Sequence, residues 1–205
     1  MSIYFHEGDL PAGTFDGATA VAVDCETMGL KPLRDRLCLV QLSAGDGHAH
    51  LVRFAPGASD APNLRALLGD LNVLKLFHFG RFDIAVLQHA LNVVTQPVYC
   101  TKIASKLART YTDRHGLKDV LKELLNVDIS KQQQSSDWGA PEISQAQRDY
   151  AASDVLHLHA LKDALDTMLA REGRAALANA CFAFLPARAA LDLAGWEDQD
   201  IFAHS

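Results

Sequence analysis

The chain has 205 residues, of which 49% are hydrophobic and 21% charged, with a formal net charge of −6. Those values suit one folded domain with a sizeable core and give no general hint of a polyanionic partner. No run is read as a membrane span, the start Met1 to Glu7 lacks the plan of a signal peptide, and Cys25, Cys38, Cys100 and Cys181 are too scattered for a zinc site or disulfide framework, so a cytoplasmic protein with no membrane partner is expected.

Ser2 to His6 reads as a short strand, Gly8 to Gly17 as turns, and residues 20–26 as a β-rich apolar strand ending in Asp24 and Glu26. Arg36 to Ser43 and His48 to Phe54 are strands joined by Gly45-Asp46-Gly47, a hairpin signal that makes them antiparallel. Pro56 to Pro62 is loop, and Asn63 is placed to cap a short helix through Asp70. Val73 to His78 is a further strand, Asp83 to Leu91 a helix, and Pro97 to Tyr99 a brief strand. Helical periodicity covers Thr101 to Arg109 and Leu117 to Leu125, while Ser130 to Pro141 is too poor in apolar residues for anything but loop. Ser144 and Gln147 form a capping-box pattern that opens a helix expected to reach about Leu169. Gly173 breaks it. An alanine-rich tail follows in two helical pieces, 175–185 and 187–194, around Pro186. Strands with a hairpin, then strands alternating with helices, predict a mixed α/β sheet with helices on its faces.

The chemistry-bearing residues sit at informative places in this pattern. Asp24 and Glu26 are two apart on a strand, so they share a face and repel each other unless a cation lies between them. Asp83 starts a helix just after a strand, where the helix dipole alone would favour an acid. Tyr150 and Asp154, four apart, share a helix face, and the alanines between them allow close packing on the sheet. Taken singly, each has an ordinary structural explanation. Lys102, Lys106, Arg109, Arg114, Lys118, Lys122 and Lys131 form a basic stripe on an acidic protein, either a phosphate-facing surface or simply solvated helix faces.

Taken together, Asp24-x-Glu26, His78-x3-Phe82-Asp83 and Tyr150-x3-Asp154 resemble the motifs of the DEDD 3′→5′ exonuclease superfamily, in its tyrosine-bearing branch. The resemblance is closest to ribonuclease D. Ser135-Ser136-Asp137-Trp138, Pro141, Ser144, Gln147 and Tyr150-Ala-Ala-Ser-Asp154-Val155 are similar to the segment around its last motif, and similarity runs from about Val21 to Leu165. The resemblance implies a ribonuclease H-like mixed β-sheet flanked by helices. It implies an exonuclease domain over residues 1–170, with a helical tail over 171–205 that packs on the domain or meets a second copy in a homodimer. Asp24, Glu26, Asp83 and Asp154 would hold two divalent ions, Mg²⁺ or Mn²⁺, with Asp24 bridging, and Tyr150 would keep the attacking water in line. Thr27, Met28, His78, Phe82, Lys102, Lys106 and Lys118 are expected on the substrate. Phe79 and Phe82 either stack on a terminal base or belong to the core, the core reading being favoured. His157 and His159 are not expected to bind metal.

The implied activity is metal-dependent 3′→5′ exoribonucleolysis of single-stranded RNA ends, in trimming of tRNA precursors or RNA turnover. Two departures qualify it. Thr27-Met28-Gly29-Leu30 looks more like proofreading DNA exonucleases, which makes a DNA 3′→5′ exonuclease the alternative. The residues after 171 are too few for the helical nucleic-acid-binding domains that follow the nuclease domain of ribonuclease D. A catalytically silent binding module is the more distant reading, and no motif carboxylate is missing to favour it.

Overall fold

In the computed structural model, which describes residues 2–204, the apolar run before Asp24 becomes the central strand of a six-stranded sheet. Val21, Ala22 and Val23 are fully buried, as a strand paired on both edges and covered on both faces requires. With strands β1 (Ser2–Glu7), β2 (Ala20–Thr27), β3 (Leu37–Ser43), β4 (His48–Arg53), β5 (Leu74–Phe77) and β6 (Val98–Cys100), the order is β1-β4-β3-β2-β5-β6. β3 runs antiparallel to both β2 and β4, so the expected hairpin is present; β1 pairs parallel with β4, and β5 pairs parallel with β2 on one side and β6 on the other.

Helices cover the sheet as the mixed α/β pattern predicts: α1 (Pro62–Gly69), α2 (Gly80–Leu91), α3 (Thr101–Ala108), α4 (Leu117–Leu125), α5 (Gln145–Leu156), α6 (Leu158–Arg171) and α7 (Ala175–Leu191). The main core joins Val23, Leu42 and Leu76 of the sheet to Ile84 and Leu87 of α2, Leu161 and Leu165 of α6, and Phe182 of α7. A smaller core under α5 holds Cys38, Leu39, Leu51, Ile143, Ala151 and Trp138. α5 contributes mostly alanines there. Trp138, from the polar loop before the helix, therefore supplies the bulk that seats α5 on β3 and β4.

Several local expectations are corrected. Asn63 does not cap α1, which begins one residue earlier with Pro62; Asp9 caps it from across the chain, its carboxylate accepting from the backbone N–H groups of Asn63 and Leu64 at 2.9 Å each. α2 starts at Gly80 rather than Asp83, which lies in its first turn. The helix opened by Ser144 has the expected capping box but is interrupted at His157 (φ −107°, ψ −1°), after which α6 restarts. Pro186 does not split the tail: α7 runs through it, giving up the bond that the Phe182 carbonyl would have received. With the π-helical turn Asp192–Trp196 that follows α7, Ala175 to Trp196 is, by length and composition, long and apolar enough to cross a membrane, contrary to the run-length expectation. In this fold it packs on the domain through Ala178, Phe182, Leu185 and Ala189, and Arg188 within it pairs with Asp192.

Candidate active site

The site forms where β2 ends. Asp24 and Glu26 share one face of the strand, and a register shift between Glu26 and Thr27 stops regular pairing immediately after them. Bulges of this kind re-aim side chains and let the chain leave the sheet. The same face meets α5, where Ala151, Ala152 and Val155 are buried and bring Asp154 close. Carboxylate oxygens of Asp24, Glu26 and Asp154 lie within 4.8 Å of one another. Asp83 reaches the same strand end from α2: its Oδ1 accepts from the backbone N–H of Cys25 at 3.0 Å, between the two strand carboxylates. Gly80 lets α2 start this close to β5, since a Cβ there would sit 2.7 Å from Cβ of Phe77.

The electrostatics show what the cluster lacks. Burial raises Asp24 well above the usual carboxylate range, and the charges of Asp83, Asp154 and Glu26 push it the same way. Glu26 is raised to about 9 by burial and then by Asp154 and Asp83. Asp83 and Asp154 are each raised to about 7, chiefly by burial. Polar support is slight: Gln41 Nε2 donates to Asp24 Oδ2 at 2.8 Å. Among the described residues, none of these carboxylates has an ion-pair partner; Lys131 draws Asp154 down from a distance. Hard oxygen donors gathered without a counter-charge are the donor set that Mg²⁺ or Mn²⁺ takes. The residues present fit such ions.

Tyr150 lies one helical turn before Asp154, and its phenol is raised above its ordinary value by burial and then by the charges of Asp154, Glu26 and Asp24. Its ring stands 6.0 Å from that of Trp138. Both line a cleft of about 680 Å³ together with Asp24, Glu26 and Asp154.

Of the other expected substrate residues, Thr27, Met28, His78, Phe82, Lys102 and Lys118 all line this cleft, whereas Lys106 does not. His78 hydrogen-bonds Thr101 Oγ1 through Nδ1 (2.8 Å), and burial holds it down at about 3, so it stays neutral. Arg109, counted in the basic stripe, is instead fully buried, bonding Glu123, Ser105 Oγ and the Arg114 carbonyl. Lys118 is paired with Asp128 at 3.1 Å. Lys131, expected only as a cation of the basic stripe, Gln134, which sequence reasoning did not single out, and Phe79, for which the core reading was favoured over base stacking, also line the cleft. The first two sit on a loop whose polarity was visible but whose path was not.

Comparison with known proteins agrees with this geometry. Residues 14–170 match the family model described as 3′-5′ exonuclease. A curated relative, ribonuclease D of Granulibacter bethesdensis, is 36% identical over 156 residues, covering 76% of this chain and 39% of that protein. The chain thus spans about two-fifths of the length of the curated relatives it matches. Along its whole length it resembles Brucella melitensis NrnC, solved bound to pGG (60% identity, TM-score 0.97, all of both chains) and with bound Mg²⁺ (58% identity, TM-score 0.96, all of both chains). The structure of Escherichia coli RNase D superposes at a TM-score of 0.75 and 26% identity over 83% of this chain and 45% of that one, with the expected ribonuclease H-like sheet. The chain belongs to the 3′-5′ exonuclease family.

Proposed function

We propose that the chain is a metal-dependent 3′→5′ exonuclease that removes nucleotides from the ends of short single-stranded RNA, as in RNA turnover. The observation that carries this is the convergence of Asp24, Glu26 and Asp154 on one point, with Asp83 behind them, in a cleft also lined by Lys102 and Lys131. The NrnC structure bound to pGG supports a short substrate. Asp24, Glu26, Asp83 and Asp154 would hold two divalent ions. Such a pair supplies an activated water and stabilises charge on the leaving 3′-oxygen. The chain's own residues do the rest. Gln41 and the Cys25 N–H orient Asp24 and Asp83. Tyr150, keeping its proton, positions the attacking water, and the cleft lysines meet the phosphates.

An end-labelled RNA and its DNA counterpart, incubated with Mg²⁺, Mn²⁺ or EDTA, test the proposal. Activity should vanish in EDTA, return with either ion, and favour RNA; complete hydrolysis under thorough chelation would end the metal reading. Faster DNA cleavage would move the substrate to the alternative. The carboxylates also set a pH signature. Their folded pKa values lie above the unfolded ones, so the folded state holds extra protons from about pH 4 up to the raised values of about 7 to 9. Stability without metal therefore falls across that window. Mg²⁺ competes with those protons, so the rise in Tm on adding Mg²⁺ should be larger at pH 8.5 than at pH 6. An equal rise at both would place the ion elsewhere.

The lysines divide by position. Replacing Lys102, Lys118 and Lys131 by Ala should flatten the salt dependence of RNA binding by about 0.7 in slope for each phosphate left without its lysine. Lys106→Ala, outside the cleft, should leave the slope unchanged. If the two sets behaved alike, the cleft would not be the path of the backbone.

A further inference from the structure

Of the aromatic side chains that line the catalytic cleft, Trp138 is buried, Tyr150 and Phe82 are partly buried, and Phe79 alone is exposed, at 48%. Phe82, partly buried, is packed against the main core. Phe79 has the opposite profile. It occupies the left-handed region (φ 69°, ψ 39°), where a bulky side chain is disfavoured. The other two non-glycine residues there among the described residues, Asn92 and Asn126, are of the type that tolerates it. A glycine at 79 would relieve the backbone, and the half-exposed ring recovers little by burial. Phe79 directly precedes Gly80, which lies so close to Phe77 that a Cβ there would sit 2.7 Å from Cβ of Phe77. Lys102, in the first turn of α3, has no carboxylate partner among the described residues, and its Nζ stands 4.3 Å from the centre of the Phe79 ring.

We propose that Phe79 is a nucleobase-stacking residue of this cleft, with Lys102 placed beside it to meet the phosphate attached to the same nucleotide. An aromatic face next to an ammonium matches what a nucleotide offers, a flat base one sugar away from an anion. Stacking of this kind accepts any base, because every base has a π face, and it acts on binding rather than on the chemical step. Exposure and strain at position 79 are then the cost of a fixed stacking surface beside the carboxylates.

The inference rests on the exonuclease reading, and one set of measurements separates the two. Phe79→Gly and Phe79→Trp are compared with the unaltered protein by thermal melting, and by affinity for pGG and for two versions lacking the base at one position each, with Ca²⁺ replacing Mg²⁺. Turnover of pGG is followed with Mg²⁺. Phe79→Gly should melt at the same temperature or higher, yet bind pGG roughly 5- to 150-fold more weakly, the range for loss of one stacked base. It should lose nothing further on one of the two abasic versions, and kcat at saturation should stay within a few-fold. Phe79→Trp should restore affinity. Unchanged affinity in Phe79→Gly, or the same loss on both abasic versions as on pGG, would overturn the assignment, and a large fall in melting temperature would return Phe79 to packing. If the unaltered protein neither binds nor cleaves pGG, the exonuclease reading falls and takes this one with it; if it does both while Phe79→Gly matches it, only the stacking inference fails.

Discussion

Asp24→Asn and Asp154→Asn should each abolish hydrolysis while leaving the metal-free protein as stable as before, or more so. The loss follows from the donor count. Each substitution removes one of three carboxylates whose oxygens lie within 4.8 Å, and with it charge that would hold the ions. Divalent ions are worth several kcal/mol to the transition state, so turnover should fall by about 10³-fold or more. The stability arm has the opposite sign from an ordinary active-site lesion. Asp24 and Asp154 are raised by burial, and the charge of Asp154 presses on both Asp24 and Glu26. An amide fits the same space without that charge. The gain in Tm should be small at pH 6, where much of the cluster is protonated, and larger at pH 8.5, where the aspartate would be ionised. Melting curves at the two pH values, with EDTA present, measure it. Near-normal turnover in either variant would remove that residue from the metal site, and a lower Tm at pH 8.5 would mean that the carboxylate is held by partners other than its neighbours in the cluster.

What could be read in the chain without its fold was whatever depends on short-range geometry. Asp24 and Glu26 share a face because strands repeat every two residues, and Tyr150 and Asp154 meet because helices bring residues four apart together. The Ser144 capping box is equally local. Pairings made across the chain were not legible. Nothing near Asp83 announces that its carboxylate caps the Cys25 N–H, 58 residues away. Lys75 looked like one residue in an apolar strand, yet it is fully buried, its ammonium enclosed by the carbonyls of Asp70, Val73 and Gln96. Arg109 reads as one more cation in a stripe until Glu123 is brought against it. The interruption at His157 was hidden because apolar spacing continues through Val155, Leu158, Leu161 and Leu165 on either side. Phe79 is the inverse case. The favoured core reading for an apolar residue fails at a position whose backbone conformation opposes it and whose ring faces the cleft.

Tyr150→Phe should bind RNA and Mg²⁺ as the unaltered protein does but hydrolyse about 30- to 1,000-fold more slowly, the cost of losing one hydrogen bond of about 2–4 kcal/mol made in the transition state. The phenol is raised above its ordinary value by burial and by the facing carboxylates, so it remains protonated throughout the working range. It cannot take a proton from water at neutral pH. Its contribution would therefore be positional: a phenol carried beside Asp154 by the helix, with the Trp138 ring 6.0 Å away, would hold the water in line. A general base would stamp its own pKa on the rate, whereas loss of a positioning hydroxyl lowers the rate equally at every pH. The profile of log kcat against pH should accordingly shift down in Tyr150→Phe without changing shape. Because phenylalanine keeps the ring against Trp138, packing survives and Tm should move little. Single-turnover kinetics at saturating Mg²⁺ isolates the chemical step. An unaltered rate there would make Tyr150 a packing residue of α5, leaving Asp154 as the functional member of the pair; a lost limb in the pH profile would instead make the phenol a proton acceptor and contradict its raised pKa.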